Sequence, residues 1–323
     1  MRRILCALTA LLLMSGSASA KADECAKFRG FNVDLTPIEA GYVMPLGIAG
    51  TPRQFFLELG SALTKMDEAI AEELKFPMKP MPNGISVVDG AGPFTRIAVV
   101  PELMLGPVNR KDTEILIGSH RSDWGASASG VAGMDVFHGL DLELDLAHNR
   151  LGLYLPREGC KFAPFWPAVE WGTGDLKIVP TGGFILPMYL DDRKLFVTIN
   201  TREARTFMSF ESARTLFGIK EGDPRLVQAE FRVPGEVVYR FPFRSLSGGN
   251  NVTINAPEIY IIGNTQTCGG IRQQVRWTNT KVYKCFGGGD LQLGNNLLKE
   301  LHFFFAIKDK KVYFTLAEPP AQK

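Results

Sequence analysis

Two side chains in this sequence stand where chemistry could be done, and they stand in matching surroundings. Glu58 lies in "FLELGSALT" and Asn200 in "TINTREART"; each closes an apolar run and opens a turn. A carboxylate at such a turn can take up and release a proton, whereas an amide can only donate and accept hydrogen bonds. The residues that follow are mixed as well. Gly60 follows Leu59 in the first stretch, and Arg202 follows Thr201 in the second.

The elements around these turns repeat. "YVMPLGIAGTPRQFFLELGSALTKMDEAIAEEL" from Tyr42 aligns without a gap on "FILPMYLDDRKLFVTINTREARTFMSFESARTL" from Phe184, at an offset of 142. That offset pairs Pro45 with Pro187, Thr64 with Thr206 and Ala71 with Ala213. Each copy predicts a strand, a turn, a second apolar strand, a tight bend and a short helix. A later pair, "GMDVFHGLDLELDLAHNRLGLYL" from Gly133 and "GNNLLKELHFFFAIKDKKVYFTL" from Gly294, aligns at an offset of 161. The later copy therefore carries 19 extra residues, and Cys268 and Cys285 lie in that region. Order and spacing together identify an internal duplication. The stretch "CKFAPFWPAVEWGTGD", rich in proline and aromatic residues, separates the copies.

With both ends of each copy in view, the pattern resembles the aspartic peptidases of the pepsin and retropepsin kind over residues 42–316. There a lobe begins with two strands, the second leading into Asp-Thr/Ser-Gly, and closes with two apolar residues and a glycine that support the catalytic loop. "FFLELGSALTKMDEAIAEEL" and "FVTINTREARTFMSFESARTL" match the first element, while "GVAGMDVF" and "LQLGNNLL" match the second. The resemblance implies a mostly β, bilobal pepsin-like fold built from two duplicated retropepsin-like lobes. It places Glu58 and Asn200 at the family's catalytic Asp positions, with Gly60, Thr201, Gly133 and Gly294 supporting the loops. By position, Asp89, Gly90, Gly92 and Phe94 in "VVDGAGPF" resemble the flap over the cleft, with "SLSGGNNVT" as its counterpart in lobe two.

The family's chemistry needs two carboxylates that share one proton and hold a water between them. Glu58 is one methylene too long, and misplacing a reacting group by about 1 Å costs on the order of a hundredfold in rate. Asn200 cannot carry the proton at all, and Leu59 cannot join the hydroxyl network that braces the family's two loops. The expectation is an exported, non-catalytic pseudoprotease holding an extended peptide or protein segment in its inter-lobe cleft. Two alternatives stand: an endopeptidase using Glu58 with another acid, and a structural envelope protein. "DWGAS" at Asp123 nearly spells the missing signature but follows a polar stretch rather than an apolar strand.

The rest of the composition narrows the class. Arg2 and Arg3 precede an apolar run that ends in Ala18-Ser19-Ala20, which reads as a signal peptide over residues 1–20. Its bacterial-looking form points to the periplasm, with the external medium as the alternative. Without it, Lys+Arg falls from 36 to 34 against 34 Asp+Glu, which gives no reason to invoke nucleic acid. No later run is apolar for long enough to span a bilayer. Cys25, Cys160, Cys268 and Cys285 remain; of three possible connectivities, local pairing favours Cys25–Cys160 and Cys268–Cys285. The histidines lack metal-ligand spacing and no cofactor fingerprint is present, so neither metal nor cofactor is expected. The predicted organisation is a 21–41 extension, lobe one at 42–160, a 161–183 linker, and lobe two at 184–317.

Overall fold

The computed structural model describes residues 30–318 except 83–86, 90–91, 119–123, 125–127, 157–165, 167, 169, 180–182, 232, 234–236, 250–251, 264–272, 276–281 and 285–287. The predicted signal peptide, all four mature cysteines, Gly90 and Asp123 lie outside the described residues.

Three sheets carry the architecture, and the duplication is written into their registers. In the first half, Gly41–Ile48 pairs antiparallel with Thr51–Leu57, bringing Val43 opposite Phe56. In the second, Phe184–Leu190 pairs with Arg193–Ile199, bringing Ile185 opposite Thr198. The first strand of each hairpin is almost wholly apolar and mostly buried, and each second strand runs from exposed residues at the turn to three buried ones at its end. Each second strand then takes a parallel partner from the far end of its own repeat. Gly130–Ala132 sets Ala132 beside Leu57, and Leu291–Leu293 sets Leu293 beside Ile199. The same inserted strands pair antiparallel with Lys65–Asp67 and Thr206–Ser209, so that Gly130 meets Met66 and Leu291 meets Met208. Every one of these pairs maps onto its counterpart by the offsets of 142 and 161.

The helices follow the same plan. Asp67 caps Glu68–Glu73 by accepting from the Ala69 N–H, and Ser209 caps Phe210–Phe217 by accepting from the Ser212 N–H. Such caps satisfy backbone donors that a first helical turn leaves unpaired.

A six-stranded sheet joins the halves, in the order Gly30–Asp34, Arg150–Tyr154, Asp141–Asp145, Leu301–Ala306, Lys311–Leu316, Gly172–Asp175. Its centre is the antiparallel contact of Leu142 with Phe305 and Leu144 with Phe303. In "HFFFAI", Phe303 and Phe305 enter the main core while Phe304 packs with Tyr154 and Tyr313 on the opposite face, as strand alternation predicts. The two edge strands lie inside the stretches expected to be an extension and a linker. "GFNVD" is too short for its Phe31–Val33 alternation to stand out, and "GTGD" has no apolar side chain, which hid them as strands.

A buried polar network also ties the halves at this sheet. Glu143 accepts from Arg150 Nη2 at 2.8 Å and Tyr154 Oη at 2.5 Å, and its other contact is His302 Nε2 at 2.8 Å. Burial alone would push the Glu143 carboxyl up; the His302 and Tyr154 hydrogen bonds and the Arg150 charge outweigh it and hold the group below the usual range. Among the described residues no helix is long and apolar enough to cross a membrane.

Candidate functional site: two equivalent loops between the lobes

Each candidate loop begins where a parallel strand pair ends. The Glu58 N–H donates to Ala132 O at 3.1 Å, and the Asn200 N–H donates to Leu293 O at 3.0 Å. The chain then turns back on itself in the same way twice: Ser61 N–H to Glu58 O and Glu203 N–H to Asn200 O, both at 3.2 Å. The supporting segment closes the other side. Met134 and Asp135 N–H groups donate to Ser61 and Ala62 carbonyls at 2.8 and 3.1 Å; Asn295 and Asn296 donate to Glu203 and Ala204 at 2.7 and 3.0 Å.

Thr64 and Thr206 lock these segments together. Thr64 Oγ1 accepts from the Gly133 N–H at 3.0 Å and donates to Asp135 Oδ1 at 2.5 Å. Thr206 Oγ1 accepts from the Gly294 N–H at 3.1 Å and donates to Asn296 Oδ1 at 2.8 Å. The approach leaves no room for a side chain at either glycine. A Cβ on Gly133 would lie 2.5 Å from Leu63 C, and one on Gly294 would lie 2.2 Å from Arg205 O.

The two loops meet across the lobe interface. Thr201, fully buried, donates from Oγ1 to Leu57 O at 2.5 Å and accepts from the Leu59 N–H at 3.2 Å. Leu59 is itself fully buried in the apolar core and returns no such bond, so this brace is one-sided. A Cβ on Gly60 would stand 3.3 Å from Ile199 O and 3.8 Å from Asn200 Cγ, so the missing side chain permits loop contact. Gly41, at φ +126°, packs where a Cβ would come within 2.9 Å of Thr201 O. Arg202 lays its guanidinium 4.4 Å from the centre of the Phe56 ring, a cation–π contact between the halves.

The charges at the site are unequal. Glu58 exposes 19% of its side chain, and Lys65 Nζ stands 4.0 Å from Glu58 Oε2. Oε2 is buried and receives no hydrogen bond from the described residues. Lys65 also lies over the Phe94 ring, 5.7 Å from its centre, which links the Glu58 loop to the Val87–Phe94 hairpin. Asn200 Oδ1 accepts from the Arg202 N–H at 3.0 Å. Glu203 is one further acid on the Asn200 loop; burial raises its carboxyl pKa against backbone hydrogen bonds from Arg205 and Ala204.

Sequence reasoning singled out neither Lys65 nor Glu203. Lys65 occupies an otherwise apolar strand position, matched by Phe207 in the second half, and that mismatch is the signal that could have found it. The flap candidate is a hairpin: Asp89 faces Gly92 and Val87 faces Phe94. Its expected counterpart is different. Ser245–Ser247 pairs with Thr253–Asn255 and sets Ser247 beside Tyr189, just as Met104 of Arg96–Leu105 sits beside Gly47. The "SLSGGNNVT" hairpin thus corresponds to the hairpin at Gly106, not to the one at residues 87–94. The glycine-bearing tips look alike in sequence, and only the strand register separates them. Among the described residues no group of three or more His, Cys, Asp and Glu side chains could hold a metal ion.

No family model and no curated protein matches the chain. Solved structures do. An aspartic proteinase from Irpex lacteus is similar over 90% of this chain and 98% of that one, with a TM-score of 0.54 and 13% identity. The protein edgp is similar over 89% of this chain and 95% of its own, with a TM-score of 0.52 and 10% identity. Set beside two sheets of matching register and two equivalent loops, these likenesses show that the chain has the two-lobed fold of the pepsin-like aspartic peptidases.

Proposed function

We propose that this protein is an exported pseudoprotease whose cleft holds an extended peptide or protein segment without cutting it. The observation that carries this reading is the inequality of Glu58 and Asn200, which occupy equivalent turns but offer one acid and one amide. Acid–base hydrolysis through a carboxylate pair needs a second proton carrier, and an amide is none. The Lys65 ammonium beside Glu58 supports the reading further, since it provides a counter-charge where a shared proton would be needed. A fold of this kind offers strand edges for main-chain hydrogen bonds to an extended segment.

A second reading, a working endopeptidase, is favoured by one observation. Glu203 lies three residues past Asn200 with its carboxyl pKa raised by burial, the property expected of a general acid. Incubating the purified mature chain with an unfolded protein substrate across roughly pH 3–7 separates the two. No cleavage is expected. Cleavage that disappears in both Glu58→Gln and Glu203→Gln, and under a transition-state-mimicking inhibitor, would establish the second reading instead.

A further inference from the structure

We infer that a trough on the outer face of the joining sheet binds an alkyl polyamine, a linear run of methylenes punctuated by protonated amines. Neither the Glu58 loop nor the Asn200 loop lines it. The trough follows one register line across the sheet. Asp34 stands opposite Arg150, Arg150 opposite Asp145, Asp145 opposite His302, and His302 opposite Thr315. Strand alternation puts His302 on the Phe304 side, away from the main core that Phe303 enters. All five residues line one cavity of about 790 Å³. Four strand spacings separate Asp34 from Thr315, which makes the trough roughly 19 Å long.

The lining is rich in acceptors. Four carboxylates, those of Asp34, Asp145, Glu170 and Glu318, share it with one guanidinium, that of Arg150. Arg150 Nη2 is committed to Glu143 and Asp145 at 2.8 and 3.2 Å, so its charge is already answered. Asp34 and Glu318 are exposed, and their carboxylates take no partner among the described residues. The histidines add acceptors of a different kind. His302 Nε2 meets Glu143 Oε1 at 2.8 Å, and His148 Nδ1 meets both Asp145 oxygens at 2.9 Å. A carboxylate accepts, so each of those nitrogens carries the proton, and in the neutral ring the other nitrogen is a bare acceptor. His302 Nδ1 and His148 Nε2 have no partner among the described residues, although the His302 side chain is nine-tenths buried. Trp166 stacks on the His302 face at 3.9 Å, which leaves the polar ring edge to the cavity. Among the described residues no three such ligands converge to hold a metal ion. Protonated amines donate N–H bonds to carboxylates and imidazoles alike. A linear chain of them matches acceptors set in a row, and its methylenes can lie against Ala168 and Leu316.

The test is calorimetric titration of the folded mature chain with spermine. Two controls accompany it: hexylamine, a single short amine, and decamethonium, a long dication with no N–H. Spermine should bind at least about tenfold more tightly than either. The Asp34→Asn, Glu318→Gln double variant should bind spermine about tenfold more weakly than wild type. Both carboxylates are exposed, so that variant should keep the wild-type unfolding temperature. His148→Phe should weaken binding about fivefold by removing one acceptor. Absence of spermine binding overturns the inference outright. Decamethonium binding as tightly as spermine overturns it as well, because charge without N–H donation would then suffice. Hexylamine matching spermine shows that no row of acceptors is read, with the same consequence. Undiminished spermine binding by the double variant places the ligand elsewhere and overturns the assignment to this trough.

Discussion

Replacing Thr201 with valine asks whether the lobes are braced from one side. Valine nearly matches threonine in volume, so the change leaves little cavity and isolates the hydroxyl. Two contacts are lost at once: donation to Leu57 O at 2.5 Å and acceptance from the Leu59 N–H at 3.2 Å. Because Thr201 is fully buried, water cannot stand in without opening the interface. A buried group left unpaired costs about 1–3 kcal/mol. Two such groups, partly relieved by relaxation, give an expected loss of about 3 kcal/mol for Thr201→Val. Thr201→Ser keeps the hydroxyl and should cost about 1 kcal/mol for the missing methyl. Urea unfolding followed by both far-ultraviolet circular dichroism and intrinsic fluorescence measures the difference. Since the bonds join the two halves, the two probes should also stop coinciding in the valine variant. If valine and serine variants lie within about 0.5 kcal/mol of each other, the hydroxyl does not brace the loops and the reasoning fails.

Three further outcomes follow from the same geometry. Gly133→Ala and Gly294→Ala should each destabilise by about 3 kcal/mol or more, because the new Cβ meets backbone atoms at 2.5 and 2.2 Å that cannot rotate away; thermal unfolding compares them, and a mild effect at either would mean the two supports are not equivalent. Glu143→Gln should cost about 3–5 kcal/mol at neutral pH by breaking a buried charged network. Its carboxyl is held low in the folded state, so the wild-type contribution is present above the ordinary glutamate pKa and is lost as pH falls through the depressed value. Stability measured down through the acid range should therefore fall more steeply in the wild type than in the variant. Restoring carboxylates should have graded effects on hydrolysis of a quenched fluorogenic peptide: Asn200→Asp alone should stay about a hundredfold below the Glu58→Asp, Asn200→Asp double variant.

The duplication was legible because sheet pairing keeps apolar residues in step. An ungapped offset of 142 survives only if both hairpins bury the same face, and a one-residue slip would turn every side chain outward. The turns at Glu58 and Asn200 were legible because each follows a strand whose last three residues are buried, Phe55–Leu57 and Val197–Ile199. The extra length of the second repeat also divides in a way the sequence hid. Tyr260 pairs with Phe207 as Leu116 pairs with Lys65, so the offset there is 144. Most of the 19 extra residues therefore fall after Ile262, in the region of Cys268 and Cys285. Features set by distant contacts were not readable. The outer strands of the joining sheet are too short to show a period, "GTGD" having no apolar side chain, and Lys65 meets Glu58 only once Gly130–Ala132 is inserted beside the strand at residues 65–67.

What the two repeats share and where they differ separates folding from catalysis. The shared features are those that hold each loop: Thr64 and Thr206, the close approaches at Gly133 and Gly294, and the paired backbone bonds around them. They differ at Glu58 against Asn200, Leu59 against Thr201, Gly60 against Arg202 and Ser61 against Glu203, four consecutive positions of the turn itself. The shared set is indispensable to the core whatever the protein does, since each inserted strand must satisfy its backbone groups there. A peptidase fold is consequently weak testimony for peptidase chemistry in this chain. The reaction would have to be carried by the variable set, and that set offers one acid and one amide at the two equivalent turns rather than a matched pair of acids.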